Sequence, residues 1–462
     1  MGDRGHNQLT NFSPIHEDGP VVVSQMRLMR LCAPHGSALS LARGGVRAFA
    51  EATATAAAGG RRSIKPGPSF GDFLREAGGA SGGGGCGGAD AGDGQASPSA
   101  PPLDYEQVRE YVRGVIAQDA ALVAAGGEAA GLLKDTFGRQ HNYLRISISE
   151  RCNLRCTYCM PADGVELQPE ARVLSTAEIV RLATAFVGAG VDKIRLTGGE
   201  PLVRPDVVEL VSALGALPGL KALGITTNGI TLGRKLAPLL GAGLTGLNIS
   251  LDTLVPDKFE TITRRRGFHR VLASIDAALA AGVRSVKVNC VVMRGMNEGE
   301  LADFVALTEA RDVEVRFIEW MPFDSNAWND EAFVPFEEML RRIHERYPAL
   351  APQPTAQQPN DTSAIYAVPG FAGRVGFITS MSQHFCASCN RLRLTADGEL
   401  KTCLFGGDEV SLRDAMRAGF SDEELRVLVR GAVQKKNWAL GGHGDMYGIA
   451  ASENRPMILI GG

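Results

Sequence analysis

The 462-residue sequence predicts an α/β fold built on a parallel sheet, and two observations indicate it. Apolar, strand-like runs recur through the middle of the chain, and amphipathic, helix-like runs lie between them. Such repetition is typical of parallel strands joined by right-handed crossovers. The predicted strands are YLRISIS (143–149), KIRLTGG (193–199), ALGITTN (222–228), GLNISLD (246–252), SVKVNCVV (285–292) and EVRFIEW (314–320).

The connecting segments carry helix signals. In STAEIVRLATAFVGAG, Ser175 and Thr176 precede Glu178 in a capping-box pattern, and we expect the helix to close at Gly190. In a sheet of this kind, functional side chains gather at the carboxyl ends of the strands. The sequence therefore predicts its chemistry at those ends.

The composition changes on both sides of the predicted sheet. The first part of the chain does not resemble a packed domain, and 76–102 is a linker rich in Gly, Ala, Ser and Pro. After Pro335 the strand–helix alternation stops. The predicted organisation is a leader and linker (1–104), a helical extension (105–133), a core (134–335) and a second domain (336–462).

The segment 26–62 has the composition of an organelle transit peptide. It holds six arginines and a single acid, Glu51, and it is rich in Ala and Ser. Three acidic residues ahead of Met26 weaken this signal, so a disordered tail is the alternative. We expect a mitochondrial leader before a plastid one.

The overall charge is close to neutral, with a formal net charge of −3. Nucleic acid and anionic membranes are therefore not expected as main partners, and any anion site must be local. No run approaches the roughly 18–20 apolar residues that a membrane-spanning helix needs.

Six of the nine cysteines form two tight groups, and these suggest metal binding. Three thiols per group and an odd total fit a thiolate–metal site better than a disulfide framework, which implies a reducing compartment. The groups are Cys152-x3-Cys156-x2-Cys159 and Cys386-x2-Cys389-x13-Cys403. No role is predicted for Cys32, Cys86 and Cys290.

The first cysteine group directly follows the first predicted strand. Three closely spaced thiolates can hold three irons of a [4Fe–4S] cubane and leave the fourth iron open to a cofactor. The alternative is a structural zinc site or a buried free-cysteine loop. Tetrahedral zinc requires a fourth ligand, however, and no His or Cys lies nearby in the sequence.

The segment CNLRCTYC resembles the cluster loop of the radical S-adenosylmethionine (SAM) superfamily, whose core is a partial (β/α)6 TIM-type barrel. The stretch TGGEP (197–201) resembles the superfamily motif that holds the methionine amino group. The resemblance implies a [4Fe–4S] cluster on Cys152, Cys156 and Cys159. It also implies SAM contacts at Tyr158, Gly199, Ser250 and Met321.

The second cysteine group lies in FCASCNRLRLTADGELKTCLF, which resembles the auxiliary-cluster segment of the GTP 3′,8-cyclase family almost residue for residue. The likeness covers about residues 134–462 and includes GITTNG, NISLDTL, TITRRRGF and RFIEWMPF. It implies a C-terminal domain with a second [4Fe–4S] cluster on Cys386, Cys389 and Cys403. A zinc knuckle that adds His384 is the alternative.

Basic residues on several predicted strands match the GTP contacts of this family. The resemblance implies GTP binding by Arg145, Arg195, Thr226, Lys287, Arg391 and Arg393. Cations that point into an apolar barrel are costly unless anions meet them, and a triphosphate is such an anion. Each cation taken alone could instead be an exposed charge. The arginines at 264–266 lie in a loop-like stretch and receive no role.

The resemblance implies a lyase that makes (8S)-3′,8-cyclo-7,8-dihydroguanosine 5′-triphosphate from GTP by way of a 5′-deoxyadenosyl radical. This reaction begins molybdenum cofactor biosynthesis. An electron donor and a downstream cyclic pyranopterin monophosphate synthase are the implied partners, and a homodimer is an open option. The alternatives are a radical SAM maturase that modifies a peptide and a non-enzymatic zinc or iron–sulfur protein.

The sequence closes with RPMILIGG, an apolar, strand-like run followed by two glycines. An apolar end indicates docking rather than fraying. By the same resemblance, Gly461 and Gly462 enter the active site and take part in catalysis. A ubiquitin-like conjugation tail is the competing explanation.

Overall fold

The structure is a computed structural model that describes residues 104–125, 131–324, 326–354 and 360–461. The predicted leader and linker lie outside these residues, apart from Asp104, and so does Gly462. None of the helices in these ranges has the length and apolar character needed to cross a membrane.

The described strands confirm the predicted parallel sheet. They are β1 (Tyr143–Ser147), β2 (Lys193–Thr197), β3 (Ala222–Thr227), β4 (Gly246–Ser250), β5 (Val286–Val292), β6 (Glu314–Glu319), β7 (Ala351–Pro352), β8 (Ala364–Ala367), β9 (Arg374–Ile378), β10 (Arg391–Leu394), β11 (Glu399–Lys401) and β12 (Glu409–Ser411). Their order across the sheet is β12-β11-β10-β1-β2-β3-β4-β5-β6-β9-β8-β7. Every neighbouring pair from β10 to β9 is parallel.

Helices connect and cover these strands. They are α1 (Tyr105–Ala124), α2 (Thr176–Gly188), α3 (Val207–Gly215), α4 (Leu232–Gly241), α5 (Pro256–Thr263), α6 (Phe268–Ala280), α7 (Leu301–Ala306), α8 (Phe336–His344), α9 (Leu412–Arg417), α10 (Asp422–Gln434), α11 (Met446–Ala450) and α12 (Met457–Ile460). Ser175 and Glu178 form the predicted capping box at the start of α2. Such a cap stabilises a helix by about 1 kcal/mol.

Side chains alternate between two environments along the central strands. Leu144 and Ile146 of β1 are fully buried in the main hydrophobic core, which they share with apolar residues of the helices. Tyr143 and Arg145 point to the opposite side and line the interior. This period of two puts the apolar core between sheet and helices and leaves a polar interior.

The C-terminal region departs from the prediction in two ways. The sequence predicts no strands between 336 and 450, yet β9 and β10 extend the parallel sheet beside β6 and β1. The strand–helix alternation of the sequence does not predict β9 and β10, because the segment between them is the cysteine loop and not an α-helix. The run at 457–460 forms a helical turn and not the predicted strand. Gly461 ends this turn in the left-handed region, with φ of 75°. A domain boundary near Pro335 stays a prediction.

Candidate active site in the barrel

The first cysteine group lies just beyond β1, at the carboxyl end of the sheet. The loop carries three half-buried free thiols, Cys152, Cys156 and Cys159. Burial raises the pKa of the Cys152 thiol to about 12. A hydrogen bond to Cys156, together with burial, raises the pKa of Cys159. Thiols in this setting ionise when a metal centre takes up the charge.

The arrangement of both cysteine groups bears on which metal centre they fit. Among the described residues, no three His, Cys, Asp or Glu side chains converge as ligands of a single metal ion. The ligands of a cubane bind separate irons, so their sulfur atoms need not converge on one point. The three thiols of each group are therefore compatible with binding to separate irons.

The last residues of α5 and the residue that follows it support the first cysteine loop. The Arg155 and Thr157 amides donate to the carbonyls of Thr263 and Ile262, both at 2.9 Å. The Arg264 guanidinium donates to the Arg155 carbonyl at 3.0 Å. Arg264 thus acts on the cysteine loop, a role that the sequence does not predict because the contact joins a side chain to a distant backbone.

The glycine pair after β2 packs against the start of the cysteine loop. A Cβ on Gly199 would lie 2.6 Å from the carbonyl oxygen of Arg151, closer than carbon and oxygen can approach. The Gly199 amide donates to the Ser149 carbonyl at 2.7 Å. Glycine at this position therefore permits the close approach of two backbone segments.

Glu200 is buried and links the ends of β2 and β3. One carboxylate oxygen accepts from the Thr227 hydroxyl at 2.7 Å, and the other accepts from the backbone N–H of Asn228 at 2.7 Å. Burial raises the pKa of Glu200. The carboxylate holds the two strand ends together beside the cysteine loop.

Tyr158, a predicted SAM contact, is fixed by an acid that the sequence does not single out. Its hydroxyl donates to the Asp252 carboxylate at 2.8 Å, and the second carboxylate oxygen accepts from the Val291 amide at 2.9 Å. Burial raises the pKa of Asp252 to about 6. Asp252 therefore ties the cysteine loop to the end of β5.

The other predicted SAM contacts lie at the same end of the barrel. Ser250 is the last residue of β4 and is half-buried. Met321 follows β6 and packs into an apolar cluster with Phe405 and Leu440. Two cysteines of the second group, Cys386 and Cys403, also border that cluster.

The second cysteine group surrounds β10 and β11. Its thiols are free and half-buried. Burial would raise the pKa of Cys389, but the charges of Arg391 and Lys436 outweigh it and lower that pKa to about 6. The thiolate is therefore favoured at neutral pH. His384, the alternative zinc ligand, is exposed.

A cavity of about 510 Å³ opens at the amino-terminal end of the barrel. Its wall includes the first residues of several strands, among them Tyr143, Ala222 and Gly246. Eight of the lining side chains in the described ranges are cationic, against three that are acidic. The cationic side chains are Arg145, Lys193, Arg195, Lys221, Arg284, Lys287, Arg316 and Arg391.

Four of the six predicted GTP contacts line this cavity: Arg145, Arg195, Lys287 and Arg391. The expectation that functional side chains gather at the carboxyl ends of the strands is wrong for the first three. Arg145 and Arg195 are the third residues of their strands, and Lys287 is the second. The cavity thus opens at the amino end, the first cysteine group lies at the carboxyl end, and these three cations lie within the strands between them.

The remaining two predicted GTP contacts, Thr226 and Arg393, do not line this cavity. Arg393 pairs in register with Arg145 on the neighbouring strand. The Thr226 hydroxyl is buried and has no hydrogen-bond partner in the part of the chain that the structure describes.

The positive charge of the interior is incompletely neutralised. Glu314 accepts from Lys287 Nζ and from Arg316 Nε, each at 2.7 Å. Arg145 Nε, by contrast, has no hydrogen-bond partner among the described residues. Burial lowers the pKa of Arg145 to about 10 and that of Arg393 to about 9, and neighbouring arginines add to both effects. A bound polyanion would relieve this repulsion.

Four cations of the cavity are absent from the sequence prediction, and two of them, Lys193 and Arg316, lie on strands. Lys193 lies two residues before Arg195 on β2, and Arg316 lies two residues after Glu314 on β6. Residues two apart on a strand face the same side. The two-residue period of the strands therefore already indicates in the sequence that these two cations face the interior.

Gly461 lies at the carboxyl ends of β1 and β2. Its carbonyl accepts from Arg393 at 3.2 Å. A Cβ on this residue would lie 2.9 Å from Ser147 Cβ and would collide with the Thr197 hydroxyl. Glycine is therefore required by space as well as by the positive φ. Gly462 lies outside the described residues.

Comparison with known proteins identifies the family. The Radical SAM superfamily profile matches residues 146–308, and the Molybdenum Cofactor Synthesis C profile matches 313–441. "GTP 3′,8-cyclase, mitochondrial" of Arabidopsis thaliana is 56% identical over 331 residues, which cover 72% of this chain and 84% of that protein. "GTP 3′,8-cyclase" of Moorella thermoacetica is 49% identical over 304 residues, 66% of this chain and 94% of that protein.

The chain belongs to the GTP 3′,8-cyclase family of radical SAM proteins. Membership in the radical SAM superfamily implies SAM and a [4Fe–4S] cluster as cofactors. "Molybdenum cofactor biosynthesis protein 1" of Mus musculus is also similar, at 54% identity over 365 residues, 79% of this chain. The chain spans only 57% of that mouse protein and 52% of its bovine counterpart.

Proposed function

We propose that this chain is a radical SAM GTP 3′,8-cyclase that forms (8S)-3′,8-cyclo-7,8-dihydroguanosine 5′-triphosphate from GTP, at the start of molybdenum cofactor biosynthesis. The observation that carries the proposal is the division of the barrel interior. The free thiols of the first cysteine group lie at the carboxyl end, and an excess of cations lines the cavity at the amino end. A nucleoside triphosphate fits this division, because its phosphates require cations while its ribose must reach the cofactor end.

At the carboxyl end, Cys152, Cys156 and Cys159 would hold the first [4Fe–4S] cluster. When bound there, the cluster and SAM would supply the 5′-deoxyadenosyl radical for removal of the 3′ hydrogen of GTP. The SAM contacts in this proposal are Tyr158, Gly199, Ser250 and Met321.

The chain itself contributes positioning at this end. Asp252 fixes the ring of Tyr158 through its hydroxyl. Glu200 holds the ends of β2 and β3, and Arg264 holds the backbone of the cysteine loop. Such supports keep reacting groups in place, which is the main contribution of a protein to radical chemistry performed by cofactors.

At the amino end, cations would bind the triphosphate. Arg145, Arg195 and Lys287 are the proposed phosphate contacts, because they line the cavity and are at least partly desolvated. Arg forks suit pairs of phosphate oxygens. The Thr226 hydroxyl, which lacks a partner within the described ranges, has capacity for a contact with the nucleoside.

We propose that Cys386, Cys389 and Cys403 hold a second [4Fe–4S] cluster that orients the guanine, with Arg391 and Arg393 beside it. The lowered pKa of Cys389 supports thiolate ligation. An electron donor would reduce the first cluster, and a separate cyclic pyranopterin monophosphate synthase would consume the product.

The proposal includes a role for Gly461 and Gly462 in coupling SAM cleavage to substrate. Gly461 contacts Arg393, a proposed GTP contact, and lies beside Thr197 at the start of the TGGEP segment. A residue in contact with both regions can respond to GTP and alter the SAM site.

We also propose a mitochondrial location. The Arabidopsis relative is named as mitochondrial. The composition of 26–62 supports an equivalent leader here, although that segment lies outside the described residues.

The decisive experiment is the release of 5′-deoxyadenosine by anaerobically reconstituted protein with SAM and reductant. We expect release and a cyclised product with GTP, and little release with guanosine, which offers no phosphates to the cations. Cys156→Ala is the matched inactive control. Release that is equal with GTP, with guanosine and without nucleotide would rule out the proposed substrate.

A further inference from the structure

A buried lysine contacts the second cysteine group. The side chain of Lys436 is almost inaccessible, since the residue is 4% exposed. Its Nζ lies 3.4 Å from Cys389 Sγ, 3.1 Å from the Arg391 carbonyl oxygen and 2.9 Å from His141 Nε2. These three neighbours match the three protons of an ammonium group.

His141 is held in the state that accepts from this ammonium. The imidazole is fully buried, and its Nδ1 lies 3.0 Å from the Leu133 carbonyl oxygen. Because a carbonyl oxygen only accepts, Nδ1 carries the ring proton and Nε2 offers a lone pair to Lys436. Burial, together with the charge of Lys436, lowers the pKa of His141 to about 4, which keeps the ring neutral.

The charge of Lys436 has no carboxylate among its hydrogen-bond partners in the described ranges. Lys401, which is equally buried, contrasts with it, because its Nζ lies 3.0 Å from a Glu409 carboxylate oxygen. A buried cation is costly unless an anion compensates it. For Lys436 the anionic neighbour is the sulfur of Cys389.

We propose that Lys436 is a positioning residue for the second iron–sulfur cluster, whose ammonium donates to the ligand sulfur of Cys389 and favours the reduced, more negative cluster. This inference rests on the proposed function, which assigns a cluster to Cys386, Cys389 and Cys403. Hydrogen bonds to cluster sulfurs raise the reduction potential, and outer contacts of this kind help to retain the metal.

The test isolates the second cluster in the full chain. Replacement of Cys152, Cys156 and Cys159 by alanine removes the ligands of the first cluster, so iron content and electron paramagnetic resonance then report the second. In that background Lys436→Met removes the charge and Lys436→Arg keeps it. Lys435→Met removes an exposed neighbouring charge and is the matched control.

We expect Lys436→Met to shift the midpoint potential of the cluster downward. Loss of iron to a chelator should become roughly 10- to 100-fold faster. The Lys436→Arg and Lys435→Met variants should retain the values of the parent. A merely structural lysine would leave the potential of the folded protein unchanged.

Three results would count against the inference in distinguishable ways. If Lys436→Met has the same midpoint potential and the same rate of iron release as the parent protein, the inference is overturned, although the second cluster itself is still supported. A parent protein that holds no four-iron cluster would remove the second cluster from the proposed function, and this inference with it. If Lys436→Met does not fold, Lys436→Gln removes the positive charge and keeps a donor, and an unchanged potential there would overturn the ammonium charge as the cause of the raised potential.

Discussion

We expect Arg145→Met to weaken GTP binding and, at the same time, to stabilise the protein without GTP. Methionine keeps the apolar length of the side chain and removes the guanidinium. Arg145 lies between two other arginines in the sheet, because Arg195 and Arg393 are its register partners on β2 and β10. Its Nε has no hydrogen-bond partner among the residues that the structure describes.

The size of the expected gain in stability follows from the pKa of the Arg145 guanidinium. Burial, reinforced by Arg195 and Arg391 and only partly offset by Tyr143, lowers the pKa of Arg145 to about 10, so the folded state disfavours the charged form. Since one pKa unit corresponds to roughly 1.4 kcal/mol, the charge lowers the free energy of unfolding by about 3 kcal/mol. At neutral pH, far below the folded and unfolded pKa values, this whole penalty applies.

The same charge should strengthen GTP binding. Loss of a desolvated, charge-assisted phosphate contact costs ~2–5 kcal/mol, which corresponds to a rise in Kd of roughly 30-fold to several thousand-fold. The two effects therefore have opposite signs. A residue that only supports the fold would lower stability and affinity together.

Anaerobic titration calorimetry with GTP measures the affinity, and thermal unfolding without GTP measures the stability. Arg311→Met is the control, because its exposed guanidinium pairs with exposed Asp276 and such pairs contribute ~0–1 kcal/mol. Wild-type GTP affinity in Arg145→Met would refute the phosphate contact. A lower melting temperature without GTP would refute the prediction that the charge of Arg145 is incompletely compensated.

Three further predictions concern other parts of the site. Cys156→Ala should abolish SAM cleavage, whereas Cys403→Ala should keep some cleavage and lose the cyclised product; equal cleavage by wild type and Cys156→Ala contradicts the first cluster. Removal of Gly461 and Gly462 should preserve iron content and GTP affinity but nearly abolish turnover, which a peptide of the last residues should partly restore; undiminished turnover refutes this role. Residues 26–62 should carry a fused reporter to mitochondria, and a uniformly cytosolic reporter contradicts the leader.

The central strands could be predicted from the sequence because their period and their helical connections are local signals. The deviations are small and have a physical cause. YLRISIS is predicted to continue to Ser149, but β1 ends at Ser147. Beyond that point the Ser149 carbonyl accepts from Gly199 in the turn after β2, and the chain leaves the ladder to begin the cysteine loop.

The supports of the site could not be predicted, because their partners are far apart in the sequence. Tyr158 and Asp252 are separated by 94 positions, and His141 and Lys436 by 295. Neither pair has a local pattern that marks it. The location of the cations could not be predicted for another reason, since the rule for the carboxyl ends of strands says nothing about side chains in the middle of a strand.

The geometry of parallel strands explains how one barrel could serve both ends of the proposed nucleotide substrate. Arg145 and Ser147 lie two residues apart on β1, as do Arg195 and Thr197 on β2. Two residues of a strand span roughly 7 Å, and both members of each pair face the interior. The rise of the strands alone therefore sets the spacing between two layers of side chains. The first layer is that of the cations Arg145 and Arg195, and the second, beside the cysteine loop, is that of Ser147 and Thr197. Gly461 meets the second layer at Ser147 and Thr197 and the first at Arg393, so any side chain at 461 would enter the space between them.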